Sequence, residues 1–379
     1  MPNKENILIF IDWFLPGYKA GGPIQSVNNI VHHLHVDYNI SIVTSNKDLG
    51  EELPYNDIEF NTWQIKENYR IIYLDETHQQ SKFYGELFNL GNFNYVYFNS
   101  LFSIKFTLLP LWTCKNTAIK RVLAPRGMVG KGALAIKPLK KKLFIALFKL
   151  KGLHKKVVWH ATSALEKEEI INQFGADLDI RIAPNLSSKM KPYKAKHKEE
   201  NHLNVFFLSR IALKKNLLKA LEFVFKTDSS QNINFSIIGP VDETEYWESC
   251  EAFIKQMPKH IAVNYLGAIP NYKLKDVLQN QHVLLLPTMH ENFGHVIMES
   301  WQNGCAVIIS DQTPWIDLKI KHIGYDIPIA GTENFVKAIH HFSEMKADDF
   351  KVWSKSAYNF AETFTQKPEL VSDTKKLFK

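Results

Sequence analysis

The chain has 379 residues, more than one ordinary core accommodates, and that length favours two domains of roughly 150–200 residues. Its composition is that of a soluble globular protein, 45% apolar and 22% charged, and no run approaches the ~18–20 apolar residues a membrane span needs. The formal charge of +7 points to acidic partners and says nothing of fold. Three cysteines, Cys114, Cys250 and Cys305, stand far apart without CxxC spacing, so they read as reduced, buried thiols rather than a zinc site or a disulfide framework.

The first apolar run, NILIFIDWFLPG, is interrupted by Asp12 and has no small-residue cleavage site after it. It reads as a buried strand rather than a signal sequence. Strands are expected at 6–12, 40–45, 69–74, 95–99, 119–125 and 157–162. Between the first two, Ile24, Val27, Ile30, Val31 and Leu34 repeat at helical spacing. A second series at 204–209, 233–239, 262–267, 282–287 and 306–310 repeats the alternation of strand and helix. This is the signature of parallel α/β architecture. The domains are expected at 1–190 and 203–351, with a charged linker at 191–202. A C-terminal helix from about 352 to 379 would pack back on the first domain. Two such lobes facing each other across a cleft would turn their strand C-termini toward it, where ligands bind in open α/β sheets.

Three stretches carry candidate chemistry. The loop GYKAGGPIQS (17–26) places Gly21 and Gly22 before a helix, so it is either a turn or a place where backbone N–H groups approach an anion. In FFLSRIALKKN (206–216) a strand runs into Arg210, and Lys215 follows beside the next helix. That is either a solvated basic turn or a diphosphate site. In HENFGHVIMES (290–300) Glu291 stands in the loop after a buried strand, Phe293 and Gly294 open a helix, and Glu299 lies two turns along it. Carboxylates at these positions suit vicinal sugar hydroxyls; the plainer alternative is a helix-terminal acid followed by a surface acid.

With these motifs in order, the chain resembles the retaining GT-B glycosyltransferases of glycosyltransferase family 4. RIALKKN is followed about seventy-five residues later by PTMHENFGHVIMESWQNGCAVIISDQTPW, and APRGMVGKGAL, WHATSALEKEEI and IAPN look like a bacterial surface-polysaccharide branch of it. The resemblance implies a nucleotide-sugar donor and a glycan or lipid-diphosphate-linked acceptor, without a cofactor or metal. It gives Glu299 the ribose hydroxyls, and Glu291 the transferred sugar together with the N–H groups of Phe293 and Gly294. Arg210 and Lys215, helped by Gly21 and Gly22, would hold the diphosphate. Many members carry a histidine where this chain has Arg126, which becomes the positional candidate for assisting the reaction. His160 opens a neighbouring loop, as an acceptor-side residue or a structural one.

Residues 131–156 hold nine lysines and no acid, with Leu139, Leu143, Ala146, Leu147 and Leu150 as an apolar stripe flanked by Phe144 and Phe148. They form either a domain helix with a solvated face or a surface for anionic lipid. The expected location is cytoplasmic, or peripheral on the inner membrane face, and nucleic acid is not expected as a partner. A sugar-nucleotide epimerase or hydrolase of the same fold is the nearest alternative. A polyanion-binding protein would explain the charge but not the paired glutamates. A nicotinamide oxidoreductase would need the GxGxxG that this chain lacks.

Overall fold

The computed structural model describes residues 4–135 and 137–379, which divide into two compact units. The first comprises residues up to Ser188 together with Lys367–Lys379, and the second Lys189–Gln366. The first is built on an eight-stranded sheet of β1 (Glu5–Phe10), β2 (Tyr38–Ser45), β3 (Trp63–Ile65), β4 (Arg70–Leu74), β5 (Tyr95–Phe98), β6 (Lys120–Leu123), β7 (Val158–Ala161) and β8 (Ile180–Ile182). Their order is β3-β4-β2-β1-β5-β6-β7-β8, and every pair is parallel except β3 with β4. The second carries β9 (His202–Leu208), β10 (Asn232–Ile238), β11 (Ile261–Tyr265), β12 (Val283–Leu286), β13 (Ala306–Ser310) and β14 (Gly324–Ile327). These pair in the order β11-β10-β9-β12-β13-β14, all parallel.

Central strands such as Val283–Leu286 and Ala306–Ser310 are buried at every position, because helices cover both faces of a parallel sheet. Each sheet reverses its strand order once, between β1 and β5 in the first and between β9 and β12 in the second. At such a reversal neighbouring loops diverge and leave a crevice at the strand C-termini. The three cysteines are free and buried.

The expected linker at 191–202 is instead part of the second unit. Lys198 is 3% exposed, and its ammonium donates to the carbonyls of Glu199, Ser343 and Met345 at 2.6, 2.8 and 3.0 Å. Tyr193 packs edge-on against Tyr358, with ring centroids 5.4 Å apart. The segment's polar composition concealed this, because lysine stems pack while their head groups satisfy carbonyls at the end of helix Thr332–Glu344.

The expected C-terminal helix is also redrawn. Pro368 divides it into Ala347–Thr365 and Pro368–Lys376, and the longer helix packs within the second unit against His295–Gln302. Only the short helix and the residues after it join the first unit. There Phe378 is fully buried against Tyr38, Tyr95 and Tyr97, and Arg181 donates to the carbonyl of Lys379 at 2.8 Å. Burying that one ring stabilises the attachment by roughly 1.5–3 kcal/mol.

Candidate active site

In the second unit the crevice forms where β9 and β12 part. After β9 the chain turns through Leu213–Lys215, and Asn216 adopts a left-handed conformation at φ 63°. The Asn216 side chain donates to the Pro287 carbonyl at 3.0 Å, and the Met289 N–H donates to the Lys214 carbonyl at 2.9 Å. These bonds tie the loop after β9 to the loop after β12. The Lys215 ammonium consequently forms an ion pair with Glu291, each side chain about 15% exposed. Burial pushes the Glu291 carboxyl up, but the Lys215 charge and hydrogen bond outweigh it and hold the acid below its ordinary value.

Gly294 sits at φ 75° and caps the helix His295–Gln302. A Cβ there would lie 2.7 Å from Ile297 Cδ1 and 3.3 Å from Glu291 Cγ, so only glycine lets the helix begin this close to the acid. The Phe293 ring is buried against His295, Trp315 and Phe364, and its carbonyl accepts from Trp315 Nε1 at 2.5 Å. Its side chain therefore anchors the loop, and the Phe293–Gly294 backbone is what remains for a ligand.

Glu299 is partly buried on the same helix and accepts from Asn271 Nδ2 at 2.9 Å. Burial raises its pKa to about 7, against the opposing effect of the Asn271 bond. Asn271 opens the helix after β11 and ties Glu299 to the carboxyl edge of the sheet. Farther along that edge, the Gly239 N–H donates to the Gly267 carbonyl at 2.9 Å, and a Cβ on Gly239 would meet Ser209 O at 1.9 Å. The loops after β9, β10 and β11 are therefore in direct backbone contact, and the ends of β9 and β12 are joined through Lys215 and Glu291.

Arg210 is placed differently from the expectation of a dry diphosphate clamp. Its guanidinium pairs with Asp242 at 2.7 Å, and its side chain is 42% exposed. An ion pair this open contributes about 0–1 kcal/mol, so it leaves the guanidinium easy to redirect.

In the first unit, Gly21 has φ 65° with open space where a side chain would stand, and it caps the helix Gly22–Leu34, whose first turn holds no acid. Arg126 has φ 54°. Its guanidinium donates to Asn99 Oδ1 at 2.8 Å, to Tyr97 Oη at 2.7 Å and to Asn185 Oδ1. Asn99 in turn donates to the Pro23 carbonyl at 3.3 Å, linking Arg126 to the start of the Gly22–Leu34 helix.

His160 does not present itself to a ligand. It is 2% exposed, with Nδ1 2.8 Å from the Tyr97 hydroxyl and Nε2 2.8 Å from the Ala183 carbonyl. Burial first, then the Arg126 charge, lowers its pKa to about 3, so the ring is neutral. With Nε2–H donating to Ala183, Nδ1 accepts from Tyr97, whose oxygen then accepts from Arg126. His160 therefore acts on Arg126 through Tyr97, and an acceptor-side contact is ruled out by its burial. Tyr97, Asn99, Asn185, Asp242 and Asn271 were not visible as partners in the sequence. Asp12 showed there only as a break in an apolar run.

The family described as "Glycosyl transferases group 1" matches residues 190–360, the span that holds Arg210, Lys215, Asn271, Glu291, Gly294 and Glu299. No curated protein matches the chain in sequence. Among solved structures, the chain is similar to a sucrose-phosphate synthase from Thermosynechococcus elongatus at 13% identity and TM-score 0.74, covering 99% of this chain and 98% of that one. It is similar to Anabaena HepE, solved in complex with UDP-glucose, at 11% identity and TM-score 0.68 over 98% of each chain. It is also similar to WaaG, a glycosyltransferase involved in lipopolysaccharide biosynthesis, at 11% identity and TM-score 0.68 over 98% of each chain. At these identities the likeness establishes the fold, GT-B, while the matched domain supplies the activity. The protein is an enzyme of the glycosyltransferase class.

Proposed function

We propose that the protein is a retaining glycosyltransferase of family 4. It moves a sugar from a nucleotide-sugar donor to a glycan or lipid-diphosphate-linked acceptor in bacterial surface-polysaccharide assembly. The observation that carries this reading is the Lys215–Glu291 pair across the strand-order reversal of the second sheet, with Glu299 on the helix that Gly294 opens. Lys215 turns from Glu291 toward the donor diphosphate, and Glu291 takes hydroxyls of the transferred sugar. Glu299 takes the ribose hydroxyls. Arg210 exchanges Asp242 for a phosphate oxygen. In the first unit, Gly21, Gly22 and Arg126 offer an anion their own positive potential.

The acceptor hydroxyl attacks the anomeric carbon on the face from which the nucleoside diphosphate departs. The bond from that carbon to the diphosphate oxygen breaks, the glycosidic bond forms, and the hydroxyl proton passes to the departing phosphate. Negative charge grows on the diphosphate as an oxocarbenium-like sugar develops. Cations set in place beforehand stabilise that charge without reorganising, and Lys215 and Arg210 fill this role with no divalent ion.

Peripheral attachment to an anionic membrane face forms part of the proposal. On the helix Pro138–Leu150, Leu139, Leu143, Leu147 and Leu150 are 49–81% exposed, while Ile145 and Phe148 point into the core.

The test is a thermal-shift screen against UDP-, GDP-, ADP- and dTDP-sugars, followed by NMR assignment of the product's anomeric configuration. A stabilising nucleotide-sugar and a product of unchanged configuration, formed equally in EDTA, are expected. An inverted product overturns retention, and turnover lost in EDTA and restored by manganese overturns metal independence.

A further inference from the structure

A small pocket of the second unit is lined by four lysines, Lys191, Lys194, Lys196 and Lys275, and by no aspartate or glutamate. Three pieces of chain meet there: the segment 191–196, which is in neither helix nor strand, the end of the helix Asn271–Leu278, and the end of the helix His295–Gln302. The latter helix opens at the donor crevice and closes at this pocket, so about 12 Å of helix separates the two. None of the residues placed in the donor crevice lines the pocket.

Helix capping explains only part of this charge. The Lys196 ammonium donates to the carbonyls of Leu278 and Gln279 at 2.7 and 3.2 Å, and Lys194 donates to Gln279 Oε1 at 3.4 Å. Both serve the end of the helix Asn271–Leu278. The Lys191 and Lys275 side chains have no hydrogen-bond or ion-pair partner among the described residues, and none of the four lysines pairs with a carboxylate. A helix C-terminus is equivalent to roughly half a negative charge, so two of them supply about one against four ammonium groups. Roughly three positive charges are left without compensation, held together by the fold.

The chemistry of the lining narrows what would compensate them. A carboxylate or a halide brings a single charge, whereas a phosphate group brings about 1.5–2 charges and three acceptor oxygens. Lysines act as separate point charges rather than as a planar fork, which suits a tetrahedral anion approached from several sides. The pocket is too small for a nucleotide or a sugar ring and admits one such group. Of its two apolar lining residues, Pro192 and Tyr358, the larger is buried, so no large exposed apolar side chain is offered to acyl chains.

We propose that this pocket is a second anion site, which takes a phosphate group from solution and so fastens the segment 191–196 to the ends of the two helices. The bound anion relieves the repulsion among the lysines. The site stands apart from the transferase reading, because its residues and those of the donor crevice lie at opposite ends of the helix His295–Gln302.

The test is titration calorimetry of the full chain with inorganic phosphate and with diphosphate, carried out in Lys215→Ala so that the donor crevice lacks its diphosphate cation. At least one of the two should bind, and raising sodium chloride should weaken it. Adding Lys191→Gln and Lys275→Gln should weaken binding at least tenfold. In an otherwise wild-type chain the same two changes should leave the thermal shift given by a nucleotide-sugar as it was. Without phosphate they should melt at or above the temperature of their parent, since they remove repulsion and leave Lys196 on its carbonyls. The proposal is overturned if neither anion binds, if the two glutamines leave binding unchanged, or if they lower the melting temperature, which would make these lysines structural. Binding of phosphatidic acid vesicles through these lysines, with no binding of either soluble anion, would also overturn it by placing the phosphate on a bilayer. A nucleotide-sugar that gives no thermal shift in the wild type would sink the transferase reading and leave this site standing.

Discussion

The two sheets reverse their strand order in the same way and close the reversal with different chemistry. In the second sheet the bridging contact is an ion pair, Lys215 with Glu291. In the first it is a hydroxyl donating to a carboxylate, Ser103 to Asp12. The backbone geometry supplies a crevice in either case. What differs is the contact that closes it: the acid is neutralised by a directly paired ammonium in the second sheet, and bonded to a hydroxyl in the first.

The largest effect is expected where the ion pair is broken. Glu291→Ala should lower kcat on the order of 10²–10³ if its hydroxyl contact strengthens in the transition state. Lys215→Ala should lower kcat/KM comparably, because it removes a diphosphate cation and strands a partly buried carboxylate. The double variant should lose far less than the product of the two single losses, since each single change also harms the partner. Additive losses would show that the pair acts as two unrelated residues and would end its comparison with Asp12 and Ser103.

A sharper contrast lies within the second crevice. Glu291 is held below the ordinary carboxylate range by Lys215, whereas burial lifts Glu299 to about 7. In the folded, ligand-free protein Glu299 keeps its proton to a higher pH than in the unfolded chain. Its contribution to stability is therefore full below about 4.5 and declines as pH rises toward 7. Ribose hydroxyls donate to the ionised form, so donor binding should expel the proton. Nucleotide-sugar affinity, measured by titration calorimetry, should weaken as pH falls below about 7, approaching tenfold per pH unit. Glu299→Gln should flatten this dependence. An unchanged slope in the variant would remove Glu299 from the donor site.

Arg210 should matter less than Lys215. Its pair with Asp242 is open to solvent, so Arg210→Ala should change stability by no more than about 1 kcal/mol. One charge-assisted phosphate contact is worth roughly 1.5–3 kcal/mol, so the same variant should weaken donor affinity at least about tenfold. No change in affinity would leave Arg210 as a surface residue.

Most strands were legible because central parallel strands are unbroken apolar runs, such as HVLLLP and AVIIS. The missed ones are short or at the edge: β3 and β8 have three residues each, and β14 is the four-residue GYDI. The paired glutamates were legible because eight positions along one loop and helix is a local pattern. Their electrostatic partners were not, because they come from distant chain: Lys215 lies 76 residues from Glu291, and Asn271 28 residues from Glu299. The same holds for Arg126, whose acceptors Tyr97, Asn99 and Asn185 lie 29, 27 and 59 residues away. A lone His160 after a strand read more readily as structural than as a ligand, and its burial agrees with that reading. The linker failed for a different reason, since composition does not show where the tip of a lysine ends.

The smallest expected effect on turnover lies away from both crevices. On the helix Pro138–Leu150, Phe144 and Phe148 stack with ring centroids 5.9 Å apart, and Phe148 is buried, so the phenylalanines belong to the inward face. Leu139, Leu143, Leu147 and Leu150, spaced four, four and three, form the outward one. Near its C-terminal end, Lys151 lies 5.2 Å from the centre of the exposed Trp112 ring, and Lys115 covers the same ring at 3.0 Å. Leucines with lysines beside them match the two parts of an anionic bilayer surface, acyl chains and charged head groups. Leu143→Glu with Leu147→Glu should leave turnover of a soluble acceptor unchanged, because neither residue touches either crevice. The same pair should reduce co-sedimentation with phosphatidylglycerol-containing vesicles several-fold, and raising the salt concentration should weaken the wild type's binding. Wild-type binding that is equal on neutral vesicles, or unaffected by the two glutamates, would make the stripe an ordinary solvated helix face.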